Sequence, residues 1–497
     1  MKQKGSVSLR LTAIPTAVAA CWLAVMVSAG PATAAGTGRQ AGPGVLPEDF
    51  GQGSSASVAT SWFAAGESTA PSLSIQLEAP RIDPAEISDK PLQIGVSRDI
   101  PSAYASGFNH PAVTWHRRAD GSRTAAIEIT SAGALGLRAG LQVENLPSAA
   151  ALQFYAPDLG VAPRRVTGQE VNATVQDPQL GAGAANQPIL YWSPTVEDET
   201  LVIEISLPAG TDPAGVTIAI PKVSHKFRLG MSALDLELMA LGDSASCNID
   251  VSCAWDETAD AVAFMQFISD GLEFVCTGTL LNDLDESTLR LYFLSANHCI
   301  ATAAAAATLE TRWLYETETC DGALRTPEIR SGGADLLFTS AVMDTTLLEL
   351  EDIPPGGARL SGWDANVPTG SEAFTGIHHP LGDLKKVNFS STLGFASCGT
   401  VPGTAQSDCA LGLGVDDPDA SHWWVGVDAG AVEAGSSGSG IFKSDSWQLA
   451  GVLTGGSLPA CTGDQIAVYG RFDRAFEAGV GSWLGASSAL YKTSVAA

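Results

Sequence analysis

At 497 residues the chain is too long for one ordinary domain, and a composition that is 45% hydrophobic with 52 Gly describes a folded, strand-rich protein. A formal net charge of −27 excludes a nucleic-acid binder, because no basic stripe is present to neutralise phosphates.

Taken from the start, Lys2, Lys4 and Arg10 precede an apolar stretch from Leu11 to Ala29, and Ala32-Thr33-Ala34 offers a small-residue cleavage site. Residues 1–34 are therefore predicted to be an export signal, Pro15 and the short apolar length arguing against a retained membrane helix. Residues 35–60 are rich in Gly, Ala, Ser and Pro and read as a flexible leader. From about 72 to 222 short strand patterns recur, such as Thr124–Ile129 and Leu201–Ile205, separated by turn signals at Asp120-Gly121 and Ala209-Gly210. These predict a β-sandwich with no chemistry of its own. Residues 223–246 read as a hinge, with Lys226 and Arg228 as processing points and a helix over Leu234–Leu241. Strand patterns then resume at Phe264–Ile268, Leu291–Leu294, Thr346–Leu350 and Leu449–Leu453. The end, with Phe472, Ala475, Phe476, Val480, Trp483 and Leu484 apolar, has helical spacing.

Nine cysteines are present. Setting aside Cys21 in the signal leaves eight, all between Cys247 and Cys461, which suggests a disulfide frame confined to the second half of an exported chain. The domains expected are thus a signal (1–34), a cysteine-free sandwich (35–240) and a cross-linked domain (241–497).

The chemistry gathers in that last part. Gly435-Ser436-Ser437-Gly438-Ser439 places a serine between glycines ahead of the apolar pair Ile441-Phe442, where a tight turn can expose a hydroxyl and free backbone N–H groups. A base candidate, His298, follows the strand-like Leu294-Ser295 and adjoins Cys299, which can pair with Cys276 and clamp the turn. An orienting acid should stand at the edge of an apolar strand. Asp344, before Thr345–Leu348, fits better than Asp335, which follows Ser331-Gly332-Gly333 as a loop entrance. Ser437 is preferred as nucleophile, with Gly435 two before it and Gly438 after it, and the Gly435 and Ser437 amides form the expected oxyanion hole. The order His298, Asp344, Ser437 is that of chymotrypsin-like enzymes.

With these stretches in view, the chain from Cys247 onward resembles the bacterial lysyl endopeptidases, a secreted branch of the chymotrypsin fold. The resemblance is carried by Ser246–Cys253, Cys276–Leu280, Tyr292–Cys299, Asp344–Leu350, Gly362-Trp363-Asp364, Ile377–Pro380 and Gly435–Ser439. It implies an all-β fold of two six-stranded Greek-key barrels with a C-terminal helix, preceded by the sandwich as a propeptide. It also implies disulfides Cys247–Cys461, Cys253–Cys320 and Cys276–Cys299, with Cys398 and Cys409 left over as a fourth pair. Lysine cleavage in the family depends on a pocket Asp two places before the Tyr of Tyr-Gly-Arg. That place is Ala467 here, so Asp464 is the expected substrate-binding acid and cleavage after Lys or Arg the expected preference. The family also carries a His where Thr454 stands. Ser436 occupies the place of the acid that animal zymogens use to capture a new N-terminus, so activation by that salt bridge is not expected.

The function expected is that of a secreted serine endopeptidase made as a zymogen. It would act as a monomer on protein or peptide substrates, with its own propeptide as folding partner and inhibitor and no nucleic acid, membrane, cofactor or metal involved. Adjacent His378 and His379 on a strand would point to opposite faces and are not read as ligands. The alternatives are the same chemistry with a non-basic preference, or a non-catalytic binding protein on a protease fold. A lipase or esterase would carry a Gly-x-Ser-x-Gly elbow and the order Ser, Asp, His.

Overall fold

Alternating apolar residues in the first half make strands that each bury one face, and the computed structural model assembles them into two facing sheets. It describes residues 39–46, 69–83, 87–88, 90–157, 161–181, 188–228, 244–254, 256–285, 289–369, 371–400, 407–411, 419–457 and 459–485. The signal segment and the helix expected over Leu234–Leu241 lie outside them. Among the described residues no helix is long and apolar enough to cross a membrane.

One sheet of the N-terminal half runs Leu73–Leu77, Arg123–Ser131, Thr200–Leu207, Ala151–Tyr155 and Arg164–Thr167. The other contains Tyr191–Trp192, Gly136–Asn145, Thr217–Lys226 and Leu92–Asp99. Ile127, Ile129, Ile203 and Phe154 from the first sheet meet Leu137, Leu141, Ile218 and Val223 from the second in one core. The expected hinge begins later than the sequence suggested. Strand Thr217–Lys226 continues to Lys226, whose ammonium is buried at 3.0 Å from both Glu197 oxygens and is no exposed processing point.

The second half builds two curled sheets. Strands Ala373–His378, Lys386–Thr400, His422–Ala429, Ile466–Arg471, Leu449–Gly456 and Gly440–Lys443 pair in that order, and the last pairs back onto the first, closing a six-stranded barrel. Trp423 fills it, with ring centroids 4.8 Å from Phe374 and 5.0 Å from Phe395. The other sheet runs Glu310–Trp313, Val262–Ser269, Leu272–Leu281, Tyr292–Ser295, Thr345–Leu350 and Ala334–Ser340. Its hairpin turns at Asp270-Gly271, both at positive φ as a two-residue loop requires. This ring stays open among the described residues, because the outer edge of Glu310–Trp313 is taken by Glu328–Arg330.

Two features were not expected. Leu92–Asp99 of the N-terminal half pairs with Leu272–Leu281 of the open barrel (Val96 opposite Leu272, Leu92 opposite Val275), so the second sheet of the N-terminal half and the barrel are one sheet. Part of the leader is also ordered: Gln40–Ala41 pairs with Trp363–Asp364 and Gly44–Val45 with Arg359–Leu360. The chain end coils as a broken helix over Phe472–Leu484, burying Phe472, Ala475, Val480 and Leu484. Disulfides join Cys247–Cys461, Cys253–Cys320, Cys276–Cys299 and Cys398–Cys409.

Candidate active site

Strands Tyr292–Ser295 and Thr345–Leu350 pair with Ser295 opposite Thr346. The turn leaving the first and the residue entering the second therefore sit side by side. His298 lies on that turn and Asp344 on that entry. The His298 backbone N–H donates to Asp344 Oδ1 at 2.9 Å, and its ring Nδ1 lies 2.7 Å from Asp344 Oδ2. Burial pushes the Asp344 carboxyl up, but the electrostatic attraction of His298 and the two hydrogen bonds it donates hold the carboxyl below the usual carboxylate range. With the carboxylate accepting at Nδ1, the other ring nitrogen is left as the acceptor; Nε2 is buried without a hydrogen-bond partner among the described residues. Asp344 is at φ 46°, a left-handed conformation that Asp tolerates, and strand Ile466–Arg471 presses on its turn through Gly470, where a β-carbon would strike Met343 O. The rival, Asp335, is instead on strand Ala334–Ser340, opposite Glu349.

Ser437 stands on the elbow before Gly440–Lys443 and is buried. The open barrel grips this elbow directly. Thr277 N donates to Ser437 O at 2.8 Å and Thr277 Oγ1 to Gly435 O at 3.0 Å, while Cys276 beside it is bonded to Cys299 beside His298. Gly435 and Gly438 have φ of 88° and 83°, and a β-carbon on Gly438 would lie 2.5 Å from Thr277 O. Only glycine permits this approach, and the approach sets the elbow against the His298 turn.

The neighbouring groups are already committed. Ser436 Oγ is 2.8 Å from His378 Nδ1 and accepts from Glu433 N. The amides of Ser436, Gly438 and Ser439 donate to Glu433 O, Leu453 O and Ser436 O. Those of Gly435 and Ser437 donate to nothing among the described residues. Two free amides flanking a buried serine are what a developing oxyanion needs.

Residues 241–470 match the family of lysyl endopeptidase C-terminal domains, and residues 68–227 that of lysyl endopeptidase N-terminal domains. The lysyl endopeptidase of Pseudomonas aeruginosa is 34% identical over 391 residues, covering 74% of this chain and 75% of that protein. The chain belongs to the lysyl endopeptidase family. It is accordingly a serine endopeptidase. Among solved structures, the thermostable serine protease AL20 from an extremophilic microorganism is 12% identical, with 46% of this chain and 99% of that one covered at a TM-score of 0.31. The active form of the Rv3671c protease from M. tuberculosis is also 12% identical, with 45% and 80% covered at 0.29.

Asp464, expected to meet a basic substrate side chain, is exposed on the turn before Ile466–Arg471. Its neighbour Gln465 is buried instead, and spacing alone gave no sign of it. Gln465 Nε2 donates to Val432 O and Ser457 O, each at 2.9 Å, and its Oε1 accepts from Val432 N at 2.8 Å. Two further groups escaped the sequence reading. A β-carbon on Gly455 would lie 3.3 Å from Lys90 Nζ, so the N-terminal half reaches the edge of the strand beside the elbow. Burial lowers the Lys90 pKa while Asp344 pulls it back up, and His422, driven by burial to about 4, feels both. His378 and His379 are buried, the latter stacked on Tyr315 with ring centroids 5.7 Å apart.

Proposed function

We propose that the chain is exported and made as a zymogen, with residues 1–34 as signal, 35–240 as propeptide and 241–497 as the protease, and that Ser437, His298 and Asp344 are its catalytic triad. Ser437 Oγ attacks the scissile carbonyl while His298 Nε2 takes its proton. The carbonyl oxygen, now anionic, is held by the Gly435 and Ser437 amides, each donor worth about 2.7–4 kcal/mol. His298 then gives the proton to the amine as the C–N bond breaks; water, losing a proton to His298, attacks the acyl-enzyme ester, and the proton returns to Ser437 Oγ as the acid product leaves. Asp344 fixes the tautomer and stabilises the imidazolium. No cofactor takes part, and the enzyme works as a monomer on protein or peptide chains. The observation carrying this reading is the pair of hydrogen bonds that His298 donates to Asp344, which orients the ring and leaves Nε2 as acceptor.

Cleavage after lysine, the activity named for the Pseudomonas relative, would need an acid beside the substrate cation. Asp464 is in solvent, which favours the second reading: the same chemistry with a non-basic preference. Lys90 against Gly455 supports a propeptide that covers the cleft.

The test is active-site labelling of the protein secreted from the full-length gene. A fluorophosphonate should label the wild type and Ser439→Ala but not Ser437→Ala, and peptide turnover should follow the label. Labelling that survives Ser437→Ala, or a processed wild type that neither labels nor cleaves, refutes the assignment.

A further inference from the structure

The proposed chemistry leaves open which residue precedes the scissile bond (P1). Its side chain must enter the space beside Ser437, between the segment leading into the elbow and the strand Leu449–Gly456. Gly438 N donates to Leu453 O and Leu453 N to Ser439 O, so these two walls start from a common seam. Gly455 and Gly456 pair with Val468 and Ala467 of the strand behind.

That space is short. A β-carbon on Gly456 would lie 2.5 Å from Val432 Cγ2, which puts the valine methyl directly against the glycine backbone. The two walls therefore touch at this level, and an extended side chain has no passage between them. Beyond the contact, Gln465 ties the walls together through its three hydrogen bonds to Val432 and Ser457. Both of its N–H donors and one lone pair of its oxygen are used in that tie.

Among the described residues the lining also offers no carboxylate. Ala431, Val432 and Ala467 are buried and apolar. Glu433, the nearest acid in sequence, accepts from Ala245 N at 2.9 Å and Asn248 Nδ2 at 2.7 Å on another side of its segment. An ammonium or guanidinium placed here would be buried with no carboxylate and at most one neutral amide oxygen, already accepting from Val432 N, an arrangement disfavoured far more strongly than the burial of a methyl group.

We propose that P1 is a small uncharged residue such as Ala, Ser, Gly or Val, with Val432 as the residue that sets the limit and Gln465 as the brace that holds it there. This rests on the serine-protease reading above and deepens it. The processed enzyme, secreted from the full-length gene, is given a peptide library varied at P1. Cleavage should be at least about tenfold faster after Ala or Val than after Lys, Arg, Leu or Phe, the scale on which one or two methylenes are discriminated in a closed pocket. In Val432→Ala the preference should move toward Leu and Met while cleavage after Lys stays slow. Fast cleavage after Lys or Arg by the wild type overturns the proposal, as does a Val432→Ala enzyme with an unaltered profile. If that variant does not fold, the wild-type profile decides alone. A wild type that cleaves nothing and takes no label would instead strike the serine-protease assignment.

Discussion

Asp344 does two things at once: it fixes the direction of the His298 ring through Nδ1 and pins the backbone of the same residue through its N–H. An Asn there keeps the acceptor for the backbone N–H but presents an amide donor to Nδ1, forcing the ring proton onto Nε2, where it cannot receive one from Ser437. Asn also tolerates the left-handed backbone, so the fold should survive. Asp344→Asn is expected to lower kcat by about ten-thousand-fold with KM little altered. Steady-state kinetics on a single peptide decides, and a loss under tenfold would remove Asp344 from the triad. At this scale much of the site is legible in sequence. His298, Asp344 and Ser437 each stand on a short local pattern, a strand end with a polar residue or a serine between glycines. Gln465, Val432 and Gly456 do not, because what they do depends on two walls meeting, and nothing in a run of Thr-Gly-Asp-Gln tells which of two adjacent polar residues turns inward.

Among the elements, Leu92–Asp99 is the most consequential. Its pattern reads as a strand, yet its partner could not be read, since strand edges pair by shape and availability over any sequence distance. It lies between Thr217–Lys226 of the N-terminal half and the half of Leu272–Leu281 left uncovered by Tyr292–Ser295. Without it that half exposes an unpaired edge, a poor nucleus for a slow-forming barrel. Residues 241–497 refolded alone are therefore expected to give little active enzyme, and residues 35–240 supplied separately should raise the yield and then inhibit. Lys90→Ala in the supplied piece should weaken inhibition about tenfold without reducing the refolding yield, measured as an inhibition constant beside recovered activity. Equal inhibition by both pieces would show that Lys90 does not guard the cleft. The open first barrel was equally hidden, because the short Glu328–Arg330 that takes its edge carries no strong strand pattern.

For the molecule as a whole, buried histidines shape the response to acid. Burial drives His225 to about 4, His378 to about 3 and His422 to about 4, all from 6.5. Between those values and 6.5 the unfolded chain binds protons that the folded chain refuses, so their contribution is complete above about 6.5 and is lost as the pH falls toward 4. His379, driven well below 6.5 by burial, adds to them, whereas Asp260 and Glu351, raised by burial to about 6 and about 7, act the other way, as do Glu273, Asp283, Asp335 and Glu349, which burial also raises. The melting temperature of the full chain carrying Ser437→Ala should respond less unfavourably to a change from pH 7 to 4.5 once His378→Gln is added. Calorimetry across that range checks it, and an unchanged slope would mean His378 is protonated in the folded state.

The short leader pairing at Gln40–Ala41 and Gly44–Val45 has its own consequence. Asn282 Nδ2 reaches Gly42 O at 3.0 Å and Arg39 Nε reaches Ala365 O at 2.8 Å, so the proposed propeptide holds the protease at a second place, well away from the shared sheet in sequence. A single cut near residue 240 would leave one ligand with two grips. When either grip lets go, the other keeps it at high local concentration, and rebinding outruns escape. The first cut would then free a terminus but not an enzyme. Departure would wait for a second cut between the grips, after Val45 and before Leu92, which turns two weak attachments into a timer on activation.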